Sequence, residues 1–144
     1  MKERVLVADD DASVRKSLRK VLVDAGYEVA LAADSQEAVE QFANGHIDLM
    51  LLDIGLPAKN GWNALERITN QVPELPIIIV TGRAGQHDLA VAAGVGALME
   101  KPLDVTELLD TIEKLLVEPL ETRLLRLCSD APGARPASSA GPRA

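Results

Sequence analysis

Aromatic rings, cysteines and long apolar runs are all scarce in this chain. Its 144 residues include one Trp, one Tyr and one Phe, so the core must be aliphatic and nucleic-acid bases find almost no ring to stack on. The single cysteine, Cys128, cannot form a disulfide within the chain and favours a reducing compartment. No apolar run approaches the roughly 18 residues that span a bilayer. These absences argue against base recognition and membrane insertion, and they predict a cytoplasmic protein.

Positive charge is scarce over most of the chain. Residues 1–118 carry 11 Lys and Arg against 20 Asp and Glu, whereas residues 119–144 carry 4 against 2. An acidic body repels the phosphate backbone of nucleic acids and suits a divalent cation or a basic protein surface. Residues 119–144 also contain no helix-turn-helix pattern. We therefore expect no direct contact with nucleic acid.

Five short runs rich in Val, Ile and Leu alternate with segments of helical periodicity. Three of these runs are continuous, which is typical of parallel strands buried on both faces. The five strands are predicted at Arg4–Ala8, Glu28–Ala32, Asp48–Leu52, Pro76–Val80 and Ala97–Met99. Right-handed crossovers then place helices on both sides of the sheet. The pattern predicts an α/β fold, a (βα)₅ three-layer sandwich around a five-stranded parallel sheet.

Capping residues and glycines mark the ends of the predicted helices. Asp34 and Asp104 each have a Glu three residues later, the spacing of a capping box, and so mark two helix starts. Gly45 and Gly94 stand where helix ends favour a residue with positive φ. Among the other helices, the first is predicted to end at Gly26, the third to run from Gly61 to about Gln71, and the fourth to cover Ala84–Ala93.

The composition changes after Glu118. A short helix is predicted after Pro119, because leucines recur there at helical spacing. Those leucines are Leu120, Leu124, Leu125 and Leu127. Residues 131–144 consist mainly of Pro, Gly, Ala and Ser without an apolar period, which is typical of a linker or tail. We therefore predict one domain at residues 1–118, followed by a helix and tail at residues 119–144.

Four of the predicted strands are followed by residues that can carry chemistry. These residues are the acidic cluster Asp9, Asp10 and Asp11, the single Asp53, Thr81 with Gly82, and Lys101 with Pro102. Carboxyl ends of parallel strands meet at one edge of the sheet, where open α/β folds bind ligands. Asp11 is interpreted as a helix cap, whereas Asp9 and Asp10 exceed what capping requires. We expect the remaining residues to form one phosphate site.

Carboxylates are expected to be crowded at this edge. Asp9, Asp10 and Asp53 would repel one another by about 4 kcal/mol per pair at about 4 Å and an effective dielectric constant of about 20. Lys101 can neutralise only one of them. Either one carboxylate stays protonated with a raised pKa, or a hard divalent cation binds. Oxygen-only ligation favours Mg²⁺, with Mn²⁺ as a substitute.

Asp53 has the chemistry of a phosphoryl acceptor. Its carboxylate can attack a phosphoryl group and form an acyl phosphate. Thr81 can hold a phosphoryl oxygen through its hydroxyl, and Lys101 supplies a compact positive charge. Pro102 lacks an N–H and can follow a cis peptide bond, which would fix the direction of the neighbouring ammonium.

A second interpretation uses the first acidic cluster. Asp9 and Asp11 have the nucleophile-x-acid spacing of haloacid-dehalogenase-like phosphatases, which also use Mg²⁺, Thr and Lys. Ala12 and the lack of a late acidic pair for the metal count against this interpretation. A Mg²⁺ phosphatase with Asp9 as its nucleophile is kept as the alternative function.

Four segments together resemble the landmarks of bacterial response-regulator receiver domains. They are VLVADDDASVR, LMLLDIGLPAKNGW, PIIIVTG and MEKPLD, and they occur in order between Arg4 and Val117. The resemblance implies a CheY-like, flavodoxin-like fold with strand order 2-1-3-4-5. It also implies a role in two-component signal transduction, as a stand-alone regulator or as the N-terminal part of a longer one.

The resemblance also implies roles for the residues of the acidic pocket. Asp53 would take phosphate from a phosphohistidine of a sensor histidine kinase or a histidine phosphotransfer protein. Asp10 would bind Mg²⁺ directly and Asp9 would bind it through water. The Gly55 carbonyl and Asp53 itself would complete the protein ligands.

The same resemblance predicts how the phosphorylated form would act. Thr81 and Lys101 would contact the phosphoryl group. The protein would catalyse only its own phosphorylation and dephosphorylation, and phosphorylation would switch its contacts with an unknown partner. The face formed by the fourth helix, fifth strand and fifth helix is the candidate contact surface. The chain would be a monomer or a phosphorylation-dependent dimer.

Some positions depart from the family pattern or vary within it. Receiver domains usually carry Tyr or Phe three residues before the Lys, whereas this chain has Leu98, which cannot report phosphorylation by ring rotation. Leu98 is either an exposed anchor or a packed side chain. Gly55 and Arg83 would flank the phosphate pocket. His46 and His87 are interpreted as exposed residues, not phosphate donors.

Overall fold

Five parallel strands form a single sheet in the computed structural model, which describes residues 2–55, 60–82 and 85–130. The strands are β1 Arg4–Ala8, β2 Glu28–Ala32, β3 Leu49–Asp53, β4 Ile77–Thr81 and β5 Gly96–Glu100. Their spatial order is β2-β1-β3-β4-β5, which confirms the order that the resemblance implied. The order reverses between β1 and β3, so the crevice of the fold lies at the carboxyl ends of these strands.

Helices cover both faces of the sheet. They are α1 Ala12–Asp24, α2 Ser35–Asn44, α3 Asn60–Gln71, α4 Gln86–Val95, α5 Val105–Val117 and α6 Leu120–Asp130. α1 and α5 contribute to the core on one face, and α2, α3 and α4 contribute to the core on the other. The predicted (βα)₅ three-layer sandwich is therefore confirmed. None of the helices in the described ranges is long and apolar enough to cross a membrane.

The continuous apolar strands are buried on both faces. Every residue of β3 and β4 is buried. Met50 and Ile79 lie in the core on the side of α2, α3 and α4. Leu51 and Ile78 lie in the core on the side of α1 and α5. The lack of polar alternation in these strands thus follows from the cover on both faces, and aliphatic side chains dominate both cores.

Three predicted strands have different ends in the structure. β3 begins at Leu49, one residue later than predicted, because the Asp48 side chain accepts a hydrogen bond from the Arg4 backbone N–H at 2.8 Å. β4 and β5 extend to Thr81 and Glu100, which face each other in the strand pairing. Asp53 and Thr81 are therefore the last residues of their strands, held by the sheet itself.

Two of the predicted helix caps are confirmed. The helix end predicted at Gly45 is confirmed but without a positive φ, and the helix end predicted at Gly94 is wrong. The Asp34 and Asp104 carboxylates accept hydrogen bonds from the backbone N–H three residues later, at 2.8 and 3.0 Å. Gly45 has φ −161°, an extended conformation, and what it provides is room for the Arg4 guanidinium, which a Cβ atom would meet. Gly94 lies inside α4, which continues to Val95 because that side chain packs against the core.

The helix predicted after Pro119 is present as α6. It packs against α4. The predicted tail at residues 131–144 lies outside the described residues, and the predicted domain boundary at Glu118 stays a prediction.

Gly96 lies very close to β4. A Cβ atom built on it would collide with the backbone of Ile77, which the β4–β5 pairing holds in place. We expect Gly96→Ala to lower the free energy of unfolding by about 1–3 kcal/mol, the usual cost of overpacking, as measured by urea denaturation. Gly82→Ala is the matched control, since a Cβ atom there meets nothing within 4 Å. Equal destabilisation by the two substitutions would contradict this account.

Candidate functional site

Three carboxylates meet at the carboxyl edge of β1 and β3. Asp9 and Asp10 follow β1, and Asp53 ends β3. One oxygen from each of the three side chains lies within 4.8 Å of the other two. Asp9 and Asp53 are buried, whereas Asp10 is exposed. The strand reversal thus brings together the three acids that the sequence predicted to be neighbours.

Lys101 connects two of these acids from the end of β5. Its Nζ lies 2.8 Å from Asp53 Oδ2 and 3.1 Å from Asp9 Oδ2. One ammonium therefore contacts both buried carboxylates, more than the sequence analysis expected of it. The charge balance is unchanged, because three carboxylates and one ammonium still leave two negative charges.

Backbone groups hold the other oxygen of each buried acid. Asp53 Oδ1 accepts a hydrogen bond from the Gly55 N–H at 2.8 Å. Asp9 Oδ1 accepts one from the Asp11 N–H at 2.8 Å. Asp11 itself caps α1 through Ser13 N and Val14 N, as predicted. Both carboxylates are therefore fixed in orientation before any ligand arrives.

Arg15 is a residue that the sequence analysis missed. Its Nη1 donates a hydrogen bond of 2.7 Å to the backbone carbonyl of Asp9. Arg15 lies one helical turn after the Asp11 cap, so its side chain can reach back over the start of α1. The position of Arg15 one turn after the cap was the usable signal in the sequence. The contact brings a second positive charge near the pocket.

The pKa values of two groups in the pocket are shifted. Burial raises the pKa of Asp9 above 3.8, against the opposing effects of the Asp11 N–H and Lys101. The charge of Asp53 adds to the rise but is its smallest cause, so burial matters more than the repulsion that the sequence suggested. Partial burial opposes protonation of Lys101, yet its hydrogen bonds to Asp53 and Asp9 raise its pKa above 10.5.

The donor set fits a hard divalent cation. All three side chains offer carboxylate oxygens, and the exposed Asp10 keeps one side of the cluster open to solvent. Hard cations of the magnesium type prefer such oxygens and retain several waters. Asp9, Asp10 and Asp53 could therefore hold a cation while leaving positions for a second ligand.

Thr81 and Lys101 stand side by side at the next strand ends. Thr81 is buried, and its carbonyl accepts a hydrogen bond from the Lys101 N–H at 2.9 Å. The peptide bond between Lys101 and Pro102 is cis, one of the forms that the sequence allows. Gly82 follows Thr81 and is exposed. The predicted hydroxyl and ammonium residues are therefore neighbours on adjacent strands.

The surroundings of the pocket are only partly as expected. A Cβ atom on Gly55 would lie 3.1 Å from Asp53 Oδ1, so glycine keeps that side of the acceptor open. Leu98 is half-buried and packs against the core, which favours the packing role over the exposed anchor. The His46 ring is 77% exposed and bonds Asp48 at 2.6 Å. Arg83 lies outside the described residues, as does the side chain of His87.

Comparison with known proteins points to one family. The family model described as response regulator receiver domain matches residues 5–113. The transcriptional regulatory protein DltR of Streptococcus agalactiae is 36% identical over 111 residues, which are 76% of this chain and 50% of DltR. The chain thus spans about half the length of the curated relatives that it matches.

Solved structures of response-regulator proteins resemble most of this chain. A CheY-like receiver domain protein from Methanospirillum hungatei has a TM-score of 0.75 and 31% identity, covering 87% of this chain and 98% of that one. The response regulator TrrA from Thermotoga maritima, solved in complex with Mg²⁺ and BeF, has a TM-score of 0.71 and 31% identity. That match covers 79% of this chain and 99% of TrrA.

Proposed function

This chain belongs to the response-regulator receiver family, and from that premise we propose that Asp53 is its phosphoryl acceptor. The observation that carries the proposal is the double contact of Lys101, whose ammonium bonds Asp53 and Asp9 at the edge where Asp10 also lies. Asp53 is the carboxylate that faces both the ammonium and the open Gly55 side. The donor is a phosphohistidine of a sensor histidine kinase or a histidine phosphotransfer protein.

Phosphoryl transfer to Asp53 replaces the bond from phosphorus to the donor imidazole with a bond to the carboxylate. A carboxylate oxygen of Asp53 forms the O–P bond while the P–N bond to the donor imidazole breaks, and the imidazole keeps the electron pair of that bond. Lys101 is already within bonding distance of the acceptor, so it balances charge on the phosphoryl oxygens. Thr81, on the adjacent strand end, holds another phosphoryl oxygen. The protein thereby catalyses only its own phosphorylation and dephosphorylation.

A divalent cation is the second part of the proposal. Asp10 binds Mg²⁺ directly, Asp9 binds it through water, and Asp53 and the Gly55 carbonyl complete the protein ligands. Mn²⁺ is a possible substitute. The carboxylate cluster supports this assignment, and so does the complex of the related TrrA with Mg²⁺ and BeF. When bound, the cation neutralises the negative charge that Lys101 leaves in the pocket.

The phosphatase alternative gains no support. A haloacid-dehalogenase-like mechanism with Asp9 as nucleophile needs Asp11 as the acid two residues later. Asp11 Oδ1 instead caps α1, with hydrogen bonds of 2.8 and 3.3 Å from Ser13 N and Val14 N. The matched family model, over residues 5–113, is also that of a receiver domain.

The signalling context is inferred from the family. Residues 1–118 form the receiver domain, and residues 119–144 form a helix with a tail or linker. The chain acts in the cytoplasm, alone or as the N-terminal part of a longer regulator, since its curated relatives are about twice the matched length. Its output is a change of protein contacts on the face of α4, β5 and α5, as a monomer or as a dimer formed on phosphorylation.

Labelling with acetyl phosphate tests the proposal. We expect the full chain to gain one phosphoryl group by intact-mass spectrometry when Mg²⁺ is present, and none when EDTA removes the cation. The label should be lost with hydroxylamine, which cleaves acyl phosphates but not phosphate esters of Ser or Thr. A label that forms equally in EDTA, or that survives hydroxylamine, would contradict an aspartyl phosphate made with a divalent cation.

A further inference from the structure

α6 is tied to the end of α5 by one side chain. Arg123 Nη2 donates hydrogen bonds to the backbone carbonyls of Leu115 at 2.9 Å and Leu116 at 3.3 Å. These carbonyls lie in the last turn of α5, where helix carbonyls have no partner within the helix. Arg123 Nε also lies 3.9 Å from Glu118 Oε1, and both side chains are less than one-fifth exposed. The guanidinium therefore fixes the start of α6 against α5.

The same helix packs against α4. α6 thus bridges two helices that lie on opposite faces of the sheet, since α4 packs with one core and α5 with the other. A change in the position of α4 relative to α5 cannot preserve both attachments of α6. The bridge therefore resists movement of α4.

α4 is also the helix that follows the phosphate site in the chain. Thr81 ends β4, Gly85 precedes the first residue of α4, and only residues 82–84 lie between them. A change in the position of Thr81 on phosphorylation would therefore reach the start of α4 through a short connection. Val91 and Val95 hold α4 on the core, and the packing of α6 adds a second attachment on the same helix.

We propose that α6 is an internal strap that holds α4 in its resting position and detaches when Asp53 is phosphorylated. The surface of α4 beneath it is then a binding site for an amphipathic helix, which the chain's own α6 fills in the resting state. This inference rests on the proposed function of Asp53. Docking of α6 on α4 and binding of a phosphoryl-type group at Asp53 oppose each other. By linkage, each lowers the equilibrium constant of the other by the same factor.

Hydrogen exchange measured by mass spectrometry on the unaltered full chain tests the detachment directly. Mg²⁺ with beryllofluoride serves as the probe of the phosphorylated state. We expect the amides of α6 to exchange at least about five-fold faster when the probe is bound, the lower end of typical coupling between sites. The amides of α1 serve as the internal reference and should not exchange faster.

Arg123→Gln tests the linkage in the other direction. Loss of the guanidinium should release α6 without any probe and should tighten beryllofluoride binding by about five-fold, measured by calorimetry in Mg²⁺. Arg19→Gln is the matched control, because it removes the same charge from an exposed position on α1. The affinity of the control should equal that of the unaltered chain.

The outcomes separate this inference from the function on which it rests. If beryllofluoride binds but α6 exchange stays unchanged, the strap is overturned and the proposed function stands. Unaltered beryllofluoride affinity in a folded Arg123→Gln variant would overturn it as well. If the unaltered chain binds no beryllofluoride at all, the proposed function fails and the strap fails with it.

Discussion

Asp53→Asn is expected to reduce labelling by acetyl phosphate at least about one hundred-fold, to the background level. An amide has nearly the shape of a carboxylate but is not a nucleophile toward phosphorus, so no acyl phosphate can form. The substitution also keeps a hydrogen-bond acceptor for the Gly55 N–H, which bonds Asp53 Oδ1 at 2.8 Å. Loss of the label would therefore reflect chemistry rather than unfolding. Intact-mass spectrometry after a timed reaction gives the measurement.

Asp24→Asn is the matched control for that substitution. Asp24 ends α1, its side chain is 67% exposed, and its ion pair with Lys20 at 3.4 Å is of the surface kind that contributes little. The control should accept phosphate at the rate of the unaltered chain. A label that persists in Asp53→Asn, mapped by peptide analysis to Asp9 or Asp10, would reject Asp53 as the acceptor.

Asp9→Asn is expected to have opposite effects on stability and on cation binding. Without divalent cation, the free energy of unfolding at pH values above the folded pKa of Asp9 should rise, because Asn removes a buried negative charge from a site with surplus negative charge. Lys101 would lose one partner but keep Asp53 at 2.8 Å, so no buried charge is left alone. Affinity for Mg²⁺ should fall at least about one hundred-fold, the upper end of what loss of an outer ligand partner costs.

The sign of the stability effect follows from the raised pKa of Asp9. Burial keeps the proton on the folded protein at pH values where the unfolded chain, with a pKa near 3.8, has already lost it. The contribution of Asp9 to stability is therefore fully present below that value and is lost as pH rises through the folded pKa. Above its folded pKa the ionised group destabilises the fold, and Asn removes this effect. In the Asp9→Asn variant, the change of unfolding free energy with pH between the unfolded and folded pKa values of Asp9 should disappear.

Urea denaturation with and without Mg²⁺, together with calorimetry, measures both effects. Asp10→Asn is the matched control, because Asp10 belongs to the same cluster but is exposed. It should weaken Mg²⁺ binding while changing the metal-free stability by no more than about 0.5 kcal/mol. A metal-free Asp9→Asn variant that is less stable than the unaltered chain would contradict the burial argument.

The fold, and the edge of the sheet that holds the acidic residues, could both be predicted from the sequence. Continuous apolar runs predict buried parallel strands, and each run is followed by a residue that ends up at the same edge, as Asp53 and Thr81 do. The strand order could be predicted only from the resemblance to receiver domains, because hydrophobic periodicity does not indicate which strands are neighbours. These features depend on local pattern and on general rules of connection, so they can be read from one chain.

Features that depend on tertiary packing could not be predicted in this way. Gly45 leaves room for the Arg4 guanidinium, which approaches it from a distant part of the sequence. The hydrogen bond from Arg15 to the Asp9 carbonyl depends on how α1 leaves its cap. The packing of α6 on α4 depends on the direction of the chain after Pro119, for which leucine spacing carries no information.

The acidic residues and the lysine of the pocket lie on strands that differ in how many neighbouring strands they pair with. Asp9 and Asp53 come from β1 and β3, interior strands that are paired along both of their sides. Lys101 follows β5, a border strand paired along one side only. The anionic half of the pocket is therefore anchored on strands with a neighbour on each side, while the cationic half follows a strand with a neighbour on one side only. Adjusting to a new group on Asp53 would thus move Lys101 more readily than the two buried carboxylates.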